Sequence, residues 1–182
     1  MRYLIFTDIH GNLEAFNAFL TFSQKQKIDH YLFLGDSVGY GASPNEIIQK
    51  LRSLKPISSI RGNHDKAVCE IETVQTFNPI AASAIHWTRD NILKKNLTYL
   101  EKMKKGPLVI NDEISICHGA PFDEDHYIFG ELKMEELLKN LINVQISLDN
   151  VVFTAKWMAF WPFIALHGFI IWRAVKSFMP KK

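Results

Sequence analysis

Four short polar clusters carry the residue types that hold metal ions and move protons: Asp8-Ile9-His10, Gly35-Asp36, Arg61-Gly62-Asn63-His64-Asp65 and His118-Gly119. Asp8 and His10, one residue apart, can direct a carboxylate oxygen and an imidazole nitrogen to one place. Asp36 has two carboxylate oxygens, enough to bridge two cations. Asn63 supplies a neutral amide oxygen and His118 another imidazole. His64 and Asp65, directly after Asn63, set a titratable ring and a carboxylate beside a ligand. Nitrogen and oxygen donors without thiolates favour manganese, iron or zinc over a thiol-bound structural metal. Each cluster also has a plainer use. Asp8 could cap a following helix, Gly35-Asp36 could be an ordinary turn, and His118 could be a hydrogen-bonded core histidine.

The elements around these clusters decide whether they meet. Tyr3–Thr7, Tyr31–Leu34 and Pro56–Ile60 are short apolar runs that predict buried strands, each ending at one of the clusters. Gly62 is expected to let the chain turn sharply after the third strand. A helix is predicted from Asn12, with Leu13, Phe16, Phe19 and Leu20 on one face, and another from Pro44-Asn45, with Ile47, Ile48, Leu51 and Leu54. Strand, turn and helix in repetition predict a layered α/β fold with a largely parallel beginning, whose sites lie beyond the carboxyl ends of the strands. Further on, Ile80, Ala84, Trp87 and Asn91 share one side of a predicted helix, and Leu97, Leu100 and Met103 line another. Leu108–Ile110 and Ile114–Cys117 flank Asn111-Asp112-Glu113 as a hairpin that delivers His118. A helix over Glu131–Ile142 and a last strand over Asn150–Thr154 complete the pattern.

Composition limits the alternatives. A chain of 182 residues, 47% hydrophobic, can bury a core as one domain. Its net charge of +2 is unevenly distributed: residues 150–182 carry five basic side chains and no acidic one, leaving the rest net acidic. Cys69 and Cys117 have no CxxC spacing and suit a reducing cytoplasm. The four apolar residues before Thr7-Asp8 are too few for a signal-peptide core. No basic patch with interleaved aromatics precedes residue 150, so nucleic acid is not expected as an obligate partner.

Taken in order and spacing, Asp8-Ile9-His10, Gly35-Asp36, Gly62-Asn63-His64-Asp65 and His118-Gly119 resemble the calcineurin-like metallophosphoesterase superfamily. Val38-Gly39-Tyr40-Gly41, Pro44-Asn45-Glu46, Phe77-Asn78-Pro79 and Trp87-Thr88-Arg89 sharpen the likeness to its small bacterial-type members. The resemblance covers residues 1–154. It implies an α/β/β/α sandwich and a phosphomonoester or phosphodiester as substrate, hydrolysed with two divalent cations. Manganese is the first choice, with iron, zinc or nickel as alternatives. It further implies Asp8 and His10 on one cation, Asn63 and His118 on the other and Asp36 between them. His64 would be the general acid and Asp65 would orient its ring. Arg61 is either a phosphate contact or a solvated strand-end cation.

The chain departs from the family pattern after the last strand. Where Gly-His-x-His is expected, Ala155-Lys156-Trp157-Met158 stands, so two metal-binding histidines are missing and the second sheet is expected to be incomplete. Residues 155–182 form a divergent apolar and basic tail. Its uncharged run from Trp157 to Trp172 is shorter than the ~20 residues of a spanning helix. A core helix, an interfacial anchor and a shifted reading frame each account for it. Two functions follow: a metal-dependent phosphoesterase of impaired activity, or an inactive, truncated or frame-shifted remnant that at most binds.

Overall fold

The computed structural model describes residues 1–127 and the strand Val151–Phe153. Its strands are β1 (Tyr3–Phe6), β2 (His30–Phe33), β3 (Ile57–Ser59), β4 (Leu108–Val109), β5 (Ser115–Ile116) and β6 (Val151–Phe153). Four of them form one sheet in the order β3-β2-β1-β6, and every neighbouring pair is parallel. Ile5 stands between Leu32 and Phe153 in this register. The remaining two strands make an antiparallel hairpin, Leu108 opposite Ile116. In its loop Asn111 Oδ1 accepts hydrogen bonds from the backbone N–H groups of Glu113 and Ile114, which fixes the turn without glycine.

Side chains alternate across the sheet as the period of two requires. Phe6 and Phe33 point into the main core with Phe16, Ile47, Ile48, Leu51 and Ile85. Tyr3, Leu32 and Ile60 point the other way, onto Ile116 and the hairpin. The sheet is therefore covered on one face by helices and on the other by the beginning of a second β layer. Phe6 anchors the helical side, its ring 4.6 Å from Phe19 and 5.1 Å from Phe33 between centroids.

The helices are α1 (Leu13–Gln24), α2 (Pro44–Ser53), α3 (Asn63–Val68), α4 (Pro79–Asn91) and α5 (Lys94–Glu101). Asn12 caps α1, its Oδ1 accepting from Ala15 N, and Asn78 caps α4 by accepting from Ile80 N and Ala81 N. Pro44 opens α2, where no N–H is needed. The expected apolar stripes of α1 and α2 face the core. On α4 the buried side is Ala81, Ile85 and Thr88, whereas Ile80 and Trp87 are exposed. Small Ala81 and Thr88 let α4 lie close to α3, close enough for Arg89 Nε to donate to Ala67 O. Close approach of two helices outweighs the larger apolar area of the other face.

The expected helix over Glu131–Ile142, the completeness of the second sheet and the tail from Ala155 lie outside the described residues. Among the described residues no helix is long and apolar enough to cross a membrane.

Candidate metal centre

The loops after β1 and β2 continue side by side beyond the strands. Asp8 N donates to Gly35 O, His10 N to Asp36 O and Gly11 N to Ser37 O. Within this pairing Asp8, His10 and Asp36 adopt left-handed backbone, with φ of 56°, 49° and 59°. Aspartate and histidine tolerate that region better than most residues, but it still costs of order 1–3 kcal/mol each. The strained backbone aims these three side chains at one spot.

Gly62 serves a different end from the one expected. Its backbone is extended (φ −103°, ψ 179°), so no tight turn calls for glycine there. A Cβ at Gly62 would instead collide with the Asp36 carboxylate and lie 2.5 Å from Asp36 N. Asn63, His64 and Asp65 then form the first turn of α3. Asn12, not Asp8, caps α1, so the capping explanation for Asp8 falls away.

Asp36 is the centre. It is 3% exposed, and its Oδ1 accepts from His64 N at 2.9 Å. Its Oδ2 lies 3.6 Å from His10 Nε2 and 3.5 Å from His118 Nε2. The opposite nitrogens of these rings bond backbone carbonyls: His10 Nδ1 with Val38 O at 3.1 Å and His118 Nδ1 with Leu34 O at 2.8 Å. A carbonyl only accepts, so each Nδ1 carries a proton and each Nε2 is the ring atom left to bind a cation, in exchange for its own proton, beside Asp36. Beside His10 Nε2 lies Asp8 Oδ1 at 3.5 Å. Beside His118 Nε2 lies Asn63 Oδ1 at 3.1 Å, while Asn63 Nδ2 donates away to Tyr127 OH. Two nitrogen–oxygen pairs thus flank one carboxylate oxygen. Such a converging set of acceptors suits divalent cations on either side of Asp36.

Electrostatics follow from this crowding. Burial disfavours a charged His118, but the Asp36 and Asp8 carboxylates outweigh it and push the ring up to about 10. His10 is likewise raised, burial being overcome by Asp8 and Asp36. Burial would raise Asp36, yet the rings of His118, His10 and His64 hold its carboxyl well below the usual range. His64 goes the other way: burial brings it down to about 4 despite Asp36. It is therefore a neutral ring at neutral pH, and its buried Nδ1 finds no hydrogen-bond partner among the described residues. Ligand atoms of His10, Asp36 and His64 also lie within 4.8 Å of one another. That grouping would make His64 a ligand. The His10 and His118 sets are better defined, because backbone carbonyls fix which nitrogen faces Asp36.

Two expected roles look different in the structure. Asp65 does not orient the His64 ring. Its Oδ2 accepts from Asp36 N and Gly62 N, and its Oδ1 from Ser37 N and the Ser37 hydroxyl. Those bonds brace the Asp36 loop, while burial raises the Asp65 carboxyl above its ordinary value. Arg61 is neither solvated nor free for phosphate. It makes a two-point ion pair with Glu124, Nη2 donating to Oε1 at 2.9 Å and Nε to Oε2 at 3.3 Å. Ser37, Glu124 and Tyr127 are the participants that sequence reasoning missed. Ser37 follows Gly35-Asp36 directly, but nothing local marks the other two.

Parallel strands that end in Asp8, His10, Asp36 and Asn63, with His118 arriving from a hairpin, define a metallophosphoesterase architecture. The chain belongs to the calcineurin-like phosphoesterase family, which it matches over residues 1–171. It is similar to an uncharacterized protein of Methanocaldococcus jannaschii, 42% identical over 110 residues, which cover 60% of this chain and 44% of that one. It is similar in structure to a metallophosphoesterase from Sphaerobacter thermophilus at 37% identity, with a TM-score of 0.58 over 71% of this chain and 51% of the other. A hypothetical protein from Pyrococcus horikoshii OT3 shares the fold, with 18% identity and a TM-score of 0.65 over 82% of this chain and 67% of that one. The chain thus spans about half the length of the first two relatives.

Proposed function

We propose that this chain hydrolyses a phosphomonoester or phosphodiester with two divalent cations, manganese first among them. The observation that carries this is Asp36 Oδ2 lying between His10 Nε2 and His118 Nε2, each at about 3.5 Å. In this reading Asp8, His10 and Asp36 hold one cation, and Asn63, His118 and Asp36 the other. Bound there, the cations neutralise phosphate charge and acidify a water molecule. The chain's own residues do the rest. Thr7 donates to Asp8 Oδ2 at 2.6 Å and leaves Oδ1 free to bind. Asp65 holds the Asp36 backbone in place. In this reading the charge of the bound phosphate offsets the burial that lowers His64, so that the ring takes up a proton and passes it from Nε2 to the leaving-group oxygen. Residues 1–154 form the catalytic domain and 155–182 an appended tail. The free Cys69 and Cys117 support a cytoplasmic setting.

A manganese titration with a chromogenic phosphodiester tests the reading. Saturable, metal-dependent turnover that falls at least 100-fold in His64→Ala is expected. Turnover that is independent of metal, or insensitive to His64→Ala, would favour the inactive remnant.

A further inference from the structure

Tyr40 occupies backbone that tyrosine seldom adopts, with φ at +45°. Such strain persists where its surroundings over-determine it, and it gathers at functional sites. Here the surroundings are two histidines. A Cβ on Gly39 would strike the His64 ring, and Gly41 N donates to His10 O at 2.7 Å. The turn between these glycines therefore wraps His10 and His64 and leaves Tyr40 one place to go. Its ring centroid lies 5.0 Å from His10 and 4.9 Å from His64. Phe77 meets His64 as well, edge to face at 5.1 Å. Both aromatic side chains are half-buried, so each keeps an open surface.

A leaving group that takes a proton from His64 must lie against the side chains around that ring. His10 is turned toward carboxylates, which leaves Tyr40 and Phe77. Two aromatic rings about one imidazole reward a flat partner, through offset stacking and edge-to-face contact, more than a puckered one of equal size. Resting on the phosphoesterase reading above, we propose that Tyr40 and Phe77 clamp the leaving group, and that the substrate is a phosphoester whose leaving group carries a planar ring.

Non-hydrolysable phosphonates separate this from catalysis. Benzylphosphonate and cyclohexylmethylphosphonate have the same headgroup and similar bulk but differ in planarity. Calorimetric titration into the full manganese-loaded chain is expected to show about fivefold tighter binding of the benzyl compound. Tyr40→Leu and Phe77→Leu should each bring the ratio close to one, and Tyr40→Phe should preserve it. Phe77→Leu, which lies outside the strained turn, decides the matter if Tyr40→Leu does not fold. Equal binding by the unaltered chain, an unchanged ratio in the leucine variants, or binding of neither compound overturns the clamp. Hydrolysis of benzyl phosphate and of dibenzyl phosphate, a monoester and a diester, is followed separately. A benzyl preference without hydrolysis would sink the phosphoesterase reading and keep the clamp, whereas hydrolysis without preference would do the reverse.

Discussion

Asp36 sets the terms at the scale of single residues. Its Oδ1 serves the fold by accepting from His64 N, and its Oδ2 serves the site by facing two imidazoles. Asp36→Asn keeps an acceptor for His64 N but removes the charge. The chain should lose about 3 kcal/mol, because a carboxylate buried among imidazoles becomes a neutral amide, while manganese affinity by calorimetry drops more than ~100-fold, beyond the usual loss for a supporting partner. Gly62→Ala should damage both at once, because its methyl would enter the Asp36 carboxylate. Overpacking there costs about 1–3 kcal/mol, visible as a lower urea midpoint together with weakened metal binding. The cysteines permit a test that leaves the site alone. Burial, with Asp65 and Glu101 nearby, pushes Cys69 up to about 12, and burial pushes Cys117 up to about 11. The unfolded thiols lose their protons first, so stability should fall as pH rises from about 9 toward those values. At pH 8 both thiols should react with a disulfide reagent at least ~100-fold more slowly than in urea.

Among the elements, β3 and α3 are tied to the stretch that follows His118 by a network of buried charge. Glu124, 8% exposed, pairs with Arg61 before α3 and lies 3.6 Å from Lys66 within it. Lys66 also pairs with Asp125 and, at 3.1 Å, with Glu72. This network runs between His118 and Tyr127, the two side chains bonded to Asn63. Glu124→Gln should cost about 3 kcal/mol, since it leaves Arg61 without its carboxylate partner while Lys66 keeps Glu72 and Asp125. Amide exchange over 119–127 should accelerate before that of β1, and exchange unchanged in that segment would contradict this role of the charge network. The strands, α1, α2 and the polar side chains that converge on Asp36 were legible in the sequence because each is a local pattern: an apolar run, a 3.6-residue stripe, a polar residue just past a strand. Arg61 with Glu124 was not, since 63 positions separate them and either could be a surface charge. The buried face of α4 was missed for a related reason. Ala81, Ile85 and Thr88 have the same spacing as Ile80, Ala84 and Trp87, and only the approach of α3 chooses between them. The left-handed backbone at Asp8, His10 and Asp36 leaves no trace in residue type, because those types suit a ligand in any conformation.

For the whole molecule the open question is how the two halves of the centre are completed. On the proposed assignment the described residues offer each cation three protein ligands, with Asp36 counted for both. β6 lies parallel to β1 with Phe153 opposite Ile5, so β6 ends at the same edge of the sheet as the loop Thr7–His10. The family resemblance puts Gly-His-x-His directly after this strand, whereas this chain has Ala155-Lys156-Trp157-Met158. If the missing imidazoles are what limits the centre, restoring them in place should repair it without any change elsewhere. The triple variant Ala155→Gly, Lys156→His, Met158→His is expected to bind manganese at least ~10-fold more tightly than the natural chain. Turnover of a chromogenic phosphodiester should rise in step. Each imidazole must lose its proton to bind, so the gain should shrink as pH falls below about 6.5. The same triple variant carrying Asp36→Asn should gain little, because added histidines cannot replace the carboxylate the two half-sites share. Equal manganese affinity of the natural chain and the triple variant at pH 7.5 would mean that other residues already complete the centre.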